Sequence, residues 1–216
     1  MKKILIGIYI LVTLGIIFLL IQLNPKEKKD LVAIEAGEKL YMQMCSSCHG
    51  NSGLGEGAKQ GTALNNQQFL STVSNQDLIH YVKYGREGTI MPDYKFLSDE
   101  QLNQLVAFMR DWQTEKIHFD APETISGDID NGEKVYGLYC LSCHGVDGVG
   151  KKKMGTALSN PQYLKYTTDQ QIWISTAYGR DKTRMSASLE GLEGVRQLSK
   201  DEITDVISFI RSFEKK

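Results

Sequence analysis

The chain has 216 residues, 41% of them hydrophobic and 24% charged, with 25 basic against 26 acidic residues. That length accommodates one or two folded domains, and the balanced charge without a long basic or low-complexity tract argues against nucleic acid as a partner. All four cysteines fall in two pentapeptides, Cys45-Ser46-Ser47-Cys48-His49 and Cys140-Leu141-Ser142-Cys143-His144.

The chain opens on an uncharged apolar stretch, residues 4–23, preceded by Lys2 and Lys3. At about 1.5 Å per residue such a helix spans about 30 Å, enough to cross a bilayer. The positive-inside rule then places the N-terminus in the cytoplasm and the remainder outside, although Lys26, Lys28 and Lys29 follow the stretch and weaken that argument taken alone. The run exceeds a usual signal core and lacks a small-x-small cleavage site, so a retained single-pass anchor in the cytoplasmic membrane is expected, with a cleaved signal as the alternative. Residues 1–30 are assigned to the anchor and its juxtamembrane segment.

The first helical pattern runs from Val32 to Met44, with Gly37 and Tyr41 four apart on one face, and Gly132 and Tyr136 repeat that spacing. Each pattern leads into a C-x-x-C-H motif, the attachment signature of a c-type haem: two thiols to bond the porphyrin vinyl groups and an adjacent imidazole to reach the iron. A thioredoxin-like pair would follow a strand, and a four-cysteine zinc site would leave both histidines and the repeated flanks unexplained. Two covalently attached haem c groups are therefore expected, with His49 and His144 as proximal ligands, in an extracytoplasmic compartment where such attachment occurs.

Glycine-rich turns follow each motif, then Gly61-Thr62-Ala63-Leu64 and Gly155-Thr156-Ala157-Leu158, read as loops along a porphyrin edge. Helix starts are predicted at Ser74 and Thr168, and Tyr84-Gly85-Arg86 and Tyr178-Gly179-Arg180 stop those helices. Met91, before Pro92, and Met185 fall at matching places in the next loops and are the expected distal ligands. Met154 rivals Met185, whereas Met42, Met44 and Met109 lie in helical patterns where methionine fills a core. His80 and His118 are expected to be structural or exposed. Capped helices beginning after Ser98 and Ser199 close the copies. The second copy departs from the first after Met185, where the path to the closing cap is seven residues longer, Met185 to Ser199 against Met91 to Ser98.

Residues 113–130 have no counterpart within the repeat, and Pro122, Gly127 and several acids there predict a non-helical linker. Two domains follow, residues 31–114 and 128–216, joined by residues 115–127, in an all-α chain. The terminal helix of each should pack on its first helix, Phe108 against Gly37 and Tyr41, and Phe209 against Gly132 and Tyr136.

Each copy resembles a class I cytochrome c domain. Cys45, Cys48, His49 and Met91 match that family's functional pattern in the first copy, and Cys140, Cys143, His144 and Met185 in the second. A narrower resemblance is to the membrane-anchored dihaem cytochromes c associated with quinol-oxidising cytochrome bc complexes in heliobacteria. It implies an electron carrier rather than an enzyme, a quinol-oxidising complex or its iron-sulfur subunit as donor, and a soluble or membrane-bound redox acceptor. Lys151, Lys152 and Lys153 are a candidate docking edge for an acidic partner, or a solvated loop. A dihaem peroxidase and a haem-bearing sensor or assembly subunit are the other classes left open.

Overall fold

The computed structural model describes Thr13, residues 29–57 and residues 61–215. Apart from Thr13, the expected anchor at residues 4–23 lies outside them, and no helix among the described residues is long and apolar enough to cross a membrane. By Cα proximity the chain falls into two units, Met1–Leu31 and Val32–Lys216, and both cysteine motifs lie in the second.

The described part is helical, with two isolated β-bridges and the same order of elements twice. In the first half these are α1 Leu31–Met44, α2 Ser46–His49, α3 Gln67–Thr72, α4 Asn75–Tyr84 and α5 Asp99–Asp111. The second half repeats them as α6 Ile129–Tyr139, α7 Leu141–His144, α8 Pro161–Tyr166, α9 Asp169–Tyr178 and α10 Lys200–Ser212.

Local chemistry sets these boundaries. Ser74, Ser98, Thr168 and Ser199 each form a complete capping box, the side chain accepting from the third helical N–H while that residue's side chain accepts from the cap N–H. Each box satisfies two donors that the first turn would leave unpaired. Gly85 and Gly179 end α4 and α9 at φ 58° and 71°, a conformation that costs glycine little. The short helices α3 and α8 were not anticipated from apolar periodicity. They are started by Asn66 and Asn160, whose side chains accept from Phe69 and Tyr163 N–H, and Pro161 adds a favourable first position to α8.

The expected pairing of first and last helices is present in both halves. A Cβ on Gly37 would overlap the Gln104 carbonyl and come within 2.9 Å of Phe108 Cβ, while Gly132 stands in the same relation to Asp205 and Phe209. Only a glycine allows this approach. Tyr41 then reaches Phe108, and Tyr136 reaches Phe209, each with ring centroids 5.3 Å apart.

The segment between the halves is non-helical from Gln113 to Ser126 and is pinned at several points, with half-buried residues alternating with exposed ones. Ser71 Oγ accepts from Ile117 N–H at 2.9 Å, Phe119 lies 4.8 Å from the Tyr178 ring, and Phe119, Ala121 and Ile125 rest on the second core.

Candidate functional site: two matched imidazole sites and a shared seam

In each half a tyrosine on the first helix fixes the cysteine motif. Tyr41 Oη donates to the Gly50 carbonyl at 2.7 Å and Tyr136 Oη to the Gly145 carbonyl at 2.8 Å, clamping the residue after each histidine to the helix before it. Between these anchors the backbone turns tightly: His49 N–H donates to the Cys45 carbonyl and His144 N–H to that of Cys140, each at 2.9 Å. The two thiols and the imidazole of each motif therefore issue from one short helical turn.

The imidazoles are held alike. His49 Nδ1 is 2.7 Å from the Thr62 carbonyl and His144 Nδ1 is 2.9 Å from the Thr156 carbonyl. Since a carbonyl only accepts, Nδ1 carries the proton and Nε2 keeps its lone pair. Burial is the main influence holding both imidazoles below the usual histidine range, opposed by the same carbonyl bond. A Cβ on Gly61 would stand 2.8 Å from His49 Nδ1, and one on Gly155 3.0 Å from His144 Nδ1. The repeated Gly-Thr segments thus cradle the rings. Burial pushes the Cys45 and Cys140 thiols up to about 11.

The methionine loops also repeat. Arg86 N–H donates to the Met91 carbonyl at 3.0 Å and Arg180 N–H to that of Met185 at 2.7 Å, while Thr89 and Thr183 hydroxyls accept from the methionine N–H groups at 3.1 Å. Both methionines are half-buried. Met154 is 41% exposed and its sulfur accepts from Arg184 Nη1 at 3.3 Å. His80 meets Gln76 at 2.9 Å and the Tyr166 ring at 4.7 Å, and His118 is exposed. Lys151, Lys152 and Lys153 are exposed in a turn.

After the methionines the halves diverge. Tyr94 Oη donates to the Met44 carbonyl at 3.0 Å, beside the first cysteine motif. In the second half the longer path folds back on itself: Leu198 N–H donates to the Ser188 carbonyl at 2.7 Å, and Ser188 and Leu198 are buried. Its Arg196 sends positive charge toward Cys140 and His144. Part of this extension is therefore core, not simply surface loop.

The residues that sequence reasoning passed over join the halves. Asn66 Nδ2 donates to the Asp181 carbonyl at 2.9 Å, and Asn160 Nδ2 to the Glu87 carbonyl at 2.8 Å. Gln162 Oε1 accepts from Glu87 N–H at 3.0 Å, and Gln68 Oε1 from Asp181 N–H at 3.4 Å. Arg86 Nη1 donates to Thr156 Oγ1 at 2.5 Å and stacks 5.2 Å from the Tyr163 ring; Arg180 Nη2 donates to the Ala63 carbonyl at 2.7 Å and stacks 4.8 Å from Phe69. The asparagines, glutamines and arginines, the backbone partners of the amides and the rings beneath the arginines all recur 94 positions on, while the arginine hydrogen bonds, to Thr156 and Ala63, are one position out of that register; the contact is close to self-complementary, as between subunits of a two-fold dimer. The signal was in the sequence: Tyr-Gly-Arg recurs with its arginine, though glycine alone suffices to stop a helix.

Two motifs each presenting paired thiols and a proton-fixed imidazole fit covalent haem, and desolvated guanidiniums beside them suit a cofactor bearing carboxylates. Each half is thus a c-type cytochrome domain in its chemistry. The family described as cytochrome c oxidase, cbb3-type, subunit III matches residues 32–109, and the cytochrome c family matches residues 129–214. Two cytochrome c domains stand in tandem, and they imply two covalent haem c groups.

The chain is similar to the cbb3-type cytochrome c oxidase subunit FixP of Sinorhizobium medicae, 27% identical over 142 residues, covering 61% of this chain and 45% of that protein. FixP of Bradyrhizobium diazoefficiens is 23% identical over 150 residues, covering 65% and 49%. The chain spans about half the length of these relatives. A chain of the reducing HAO-like protein complex of Kuenenia stuttgartiensis superposes with a TM-score of 0.51 at 19% identity, over 83% of this chain and 96% of that one, a likeness of fold alone. These relatives are oxidase subunits, so the narrower resemblance to cytochromes of bc complexes gains no support from them.

Proposed function

We propose that this chain is a membrane-tethered relay of single electrons through two haems, each iron held between an imidazole and a thioether. Cys45, Cys48, His49 and Met91 would hold the first haem; Cys140, Cys143, His144 and Met185 would hold the second. The carrying observation is the pair of Nδ1 bonds to the Thr62 and Thr156 carbonyls, which leaves Nε2 of each ring available to a metal. When bound, the haem iron would supply a reversible one-electron couple, with His49 and Met91, and His144 and Met185, as the side chains that would hold it.

The protein's part is to hold, orient and tune. The carbonyl bonds fix ring direction and increase the donor strength of Nε2. The Arg86–Met91 and Arg180–Met185 backbone bonds brace the two methionine loops. A soft sulfur ligand favours reduced iron, raising the potential above that of a site with two imidazoles.

The anchor at residues 4–23 would keep both domains on the outer face of the cytoplasmic membrane, raising their effective concentration near a membrane donor. A quinol-oxidising complex or its iron-sulfur subunit is the donor we favour on chemical grounds. Similarity to FixP makes a terminal oxidase the acceptor of first choice. Lys151, Lys152 and Lys153 offer that partner a basic edge, and neutralising them should slow electron delivery mainly at low ionic strength.

The axial assignment is tested by Met91→Ala and Met185→Ala. Each is expected to remove the sulfur-to-iron absorption of one haem while two haems per chain remain attached. Retention of both absorptions in Met185→Ala would move the second ligand to Met154.

A further inference from the structure

Among the described residues, no ion pair is found for Arg86 or Arg180. Desolvation is nonetheless the main influence on both, and it pushes Arg180 down to about 10. Their hydrogen bonds go to neutral groups, Thr156 Oγ1 and the Ala63 carbonyl. Arg180 Nε is buried and, among the described residues, is the side-chain polar atom left with no hydrogen-bond partner. A buried charge without a partner is costly, and an orphaned guanidinium N–H asks for an acceptor.

Where these cations lie matters as much as what they lack. The positive charge of Arg86 acts on His49 in its own half, while its Nη1 bonds Thr156, whose carbonyl holds the His144 ring. Arg180 bonds the Ala63 carbonyl, one residue beyond the Thr62 carbonyl that holds His49. Each arginine therefore springs from the methionine loop of one half and grips the segment orienting the imidazole of the other. The two guanidiniums are also near enough for Arg86 to depress Arg180.

We propose that Arg86 and Arg180 form one shared cationic seat at the seam, taking carboxylates of the two haems, and that through it each haem's potential depends on both arginines. This rests on the two-haem relay reading and adds a role for residues that touch neither iron. A guanidinium suits the task because its planar fork binds carboxylate with two parallel N–H bonds and stays charged when desolvated. A cation held close to both irons favours the reduced state of each, so the effect is positive on both potentials. The halves then act as one redox unit instead of two carriers on a string.

The test is a spectroelectrochemical titration of the full two-haem protein and of Arg86→Gln, Arg86→Lys and Arg180→Gln, resolving both potentials in each. Arg86→Gln and Arg180→Gln are each expected to lower both potentials, by about tenfold in the one-electron equilibrium constant, or about 59 mV. Arg86→Lys, which keeps the charge, is expected to recover most of the shift, and Lys116→Gln at an exposed position of the linker to move neither potential. A shift confined to one haem would overturn the shared seat, as would unchanged potentials in both glutamine variants. If the arginines were mechanical latches alone, Arg86→Lys would be as damaging as Arg86→Gln and small-angle scattering would show both expanded. That outcome also overturns the proposal. Should Arg86→Gln lose a haem, Arg180→Gln and Arg86→Lys still decide. The relay reading fails separately, if the unmodified protein takes up no electrons.

Discussion

The two halves share an element order and a site, yet they bury their side chains differently. In the second half one continuous core runs from Val135 and Tyr136 through Ile172, Trp173 and Ile174 to Phe209, Ile210 and Phe213. In the first half the core is split into two smaller groups, one around Tyr41, Leu102, Leu105 and Phe108, the other around Val73, Leu78, Val106 and Met109. The contrast is sharpest between α4 and α9. Leu78 is the buried side chain of α4, whereas α9 buries Ile172, Trp173, Ile174, Thr176 and Ala177. A helix buried nearly all round belongs to the interior, and α9 reaches across the seam as well: Gln171 Nε2 donates to the Thr72 carbonyl and to Asp77 Oδ2. Duplication of a fold thus does not duplicate its stability. The second half supplies apolar core, and the first leans more on its haem and on its neighbour.

The largest expected effect breaks that comparison directly. Small domains bury limited surface, so an apolar cofactor fixed at two points contributes a large share of their core. Replacing Cys45 and Cys48 with alanine should leave the first half without fixed tertiary structure, seen as loss of its near-ultraviolet dichroism with far-ultraviolet signal partly kept. Replacing Cys140 and Cys143 should leave a more ordered residue of structure in the second half. Equal losses in the two variants would mean that apolar core does not set the balance. A chain lacking both haems should have neither half natively packed.

Next in size is a matched pair within the repeat. Trp173 is fully buried and its Nε1 donates to Thr204 at 3.1 Å, while its counterpart Ile79 is half-buried against two smaller groups. Truncating a buried tryptophan to alanine costs about 3–5 kcal/mol. Ile79→Ala should cost clearly less, since its surface is already partly in water. Denaturant midpoints of the two-haem protein measure both, and reversal of their order would make the first half the stronger one.

Much of this was legible beforehand, for identifiable reasons. Capping boxes at Ser98, Thr168 and Ser199 are local patterns whose partners lie three residues away, and Gly37 with Tyr41 announced a close helix contact by spacing. The cysteine motifs carry their chemistry in five contiguous residues. What escaped was either short or distant. The helices α3 and α8 are six residues each, too short to express an apolar period, and their marks were Asn66 for one and Asn160 with Pro161 for the other. The seam pairs residues such as Asn66 with Asp181, separated by 115 positions, and no local pattern encodes such a partner. Arg196 was hidden for a related reason: nothing within an extension that mixes serine, glycine and glutamate with leucine, alanine and valine says which residue will turn back toward Cys140.

The smallest effect offers the finest comparison. Ser98 and Ser199 cap equivalent helices with the same box, accepting from Gln101 N–H at 3.2 Å and Glu202 N–H at 3.1 Å. Losing such a cap costs about 0.5–2 kcal/mol, so Ser98→Ala and Ser199→Ala should carry nearly the same local penalty. Their consequences need not match, because α5 serves the divided core and α10 the continuous one. If the halves unfold as one body through the seam, both variants shift a single melting transition by a similar amount. If they unfold independently, Ser98→Ala lowers an earlier transition belonging to the first half and leaves the later one in place, while Ser199→Ala does the converse. Calorimetry on the two variants separates these cases, and a single shared transition in both would make the seam, with Arg86 and Arg180 at its centre, the element that compensates for the weaker core.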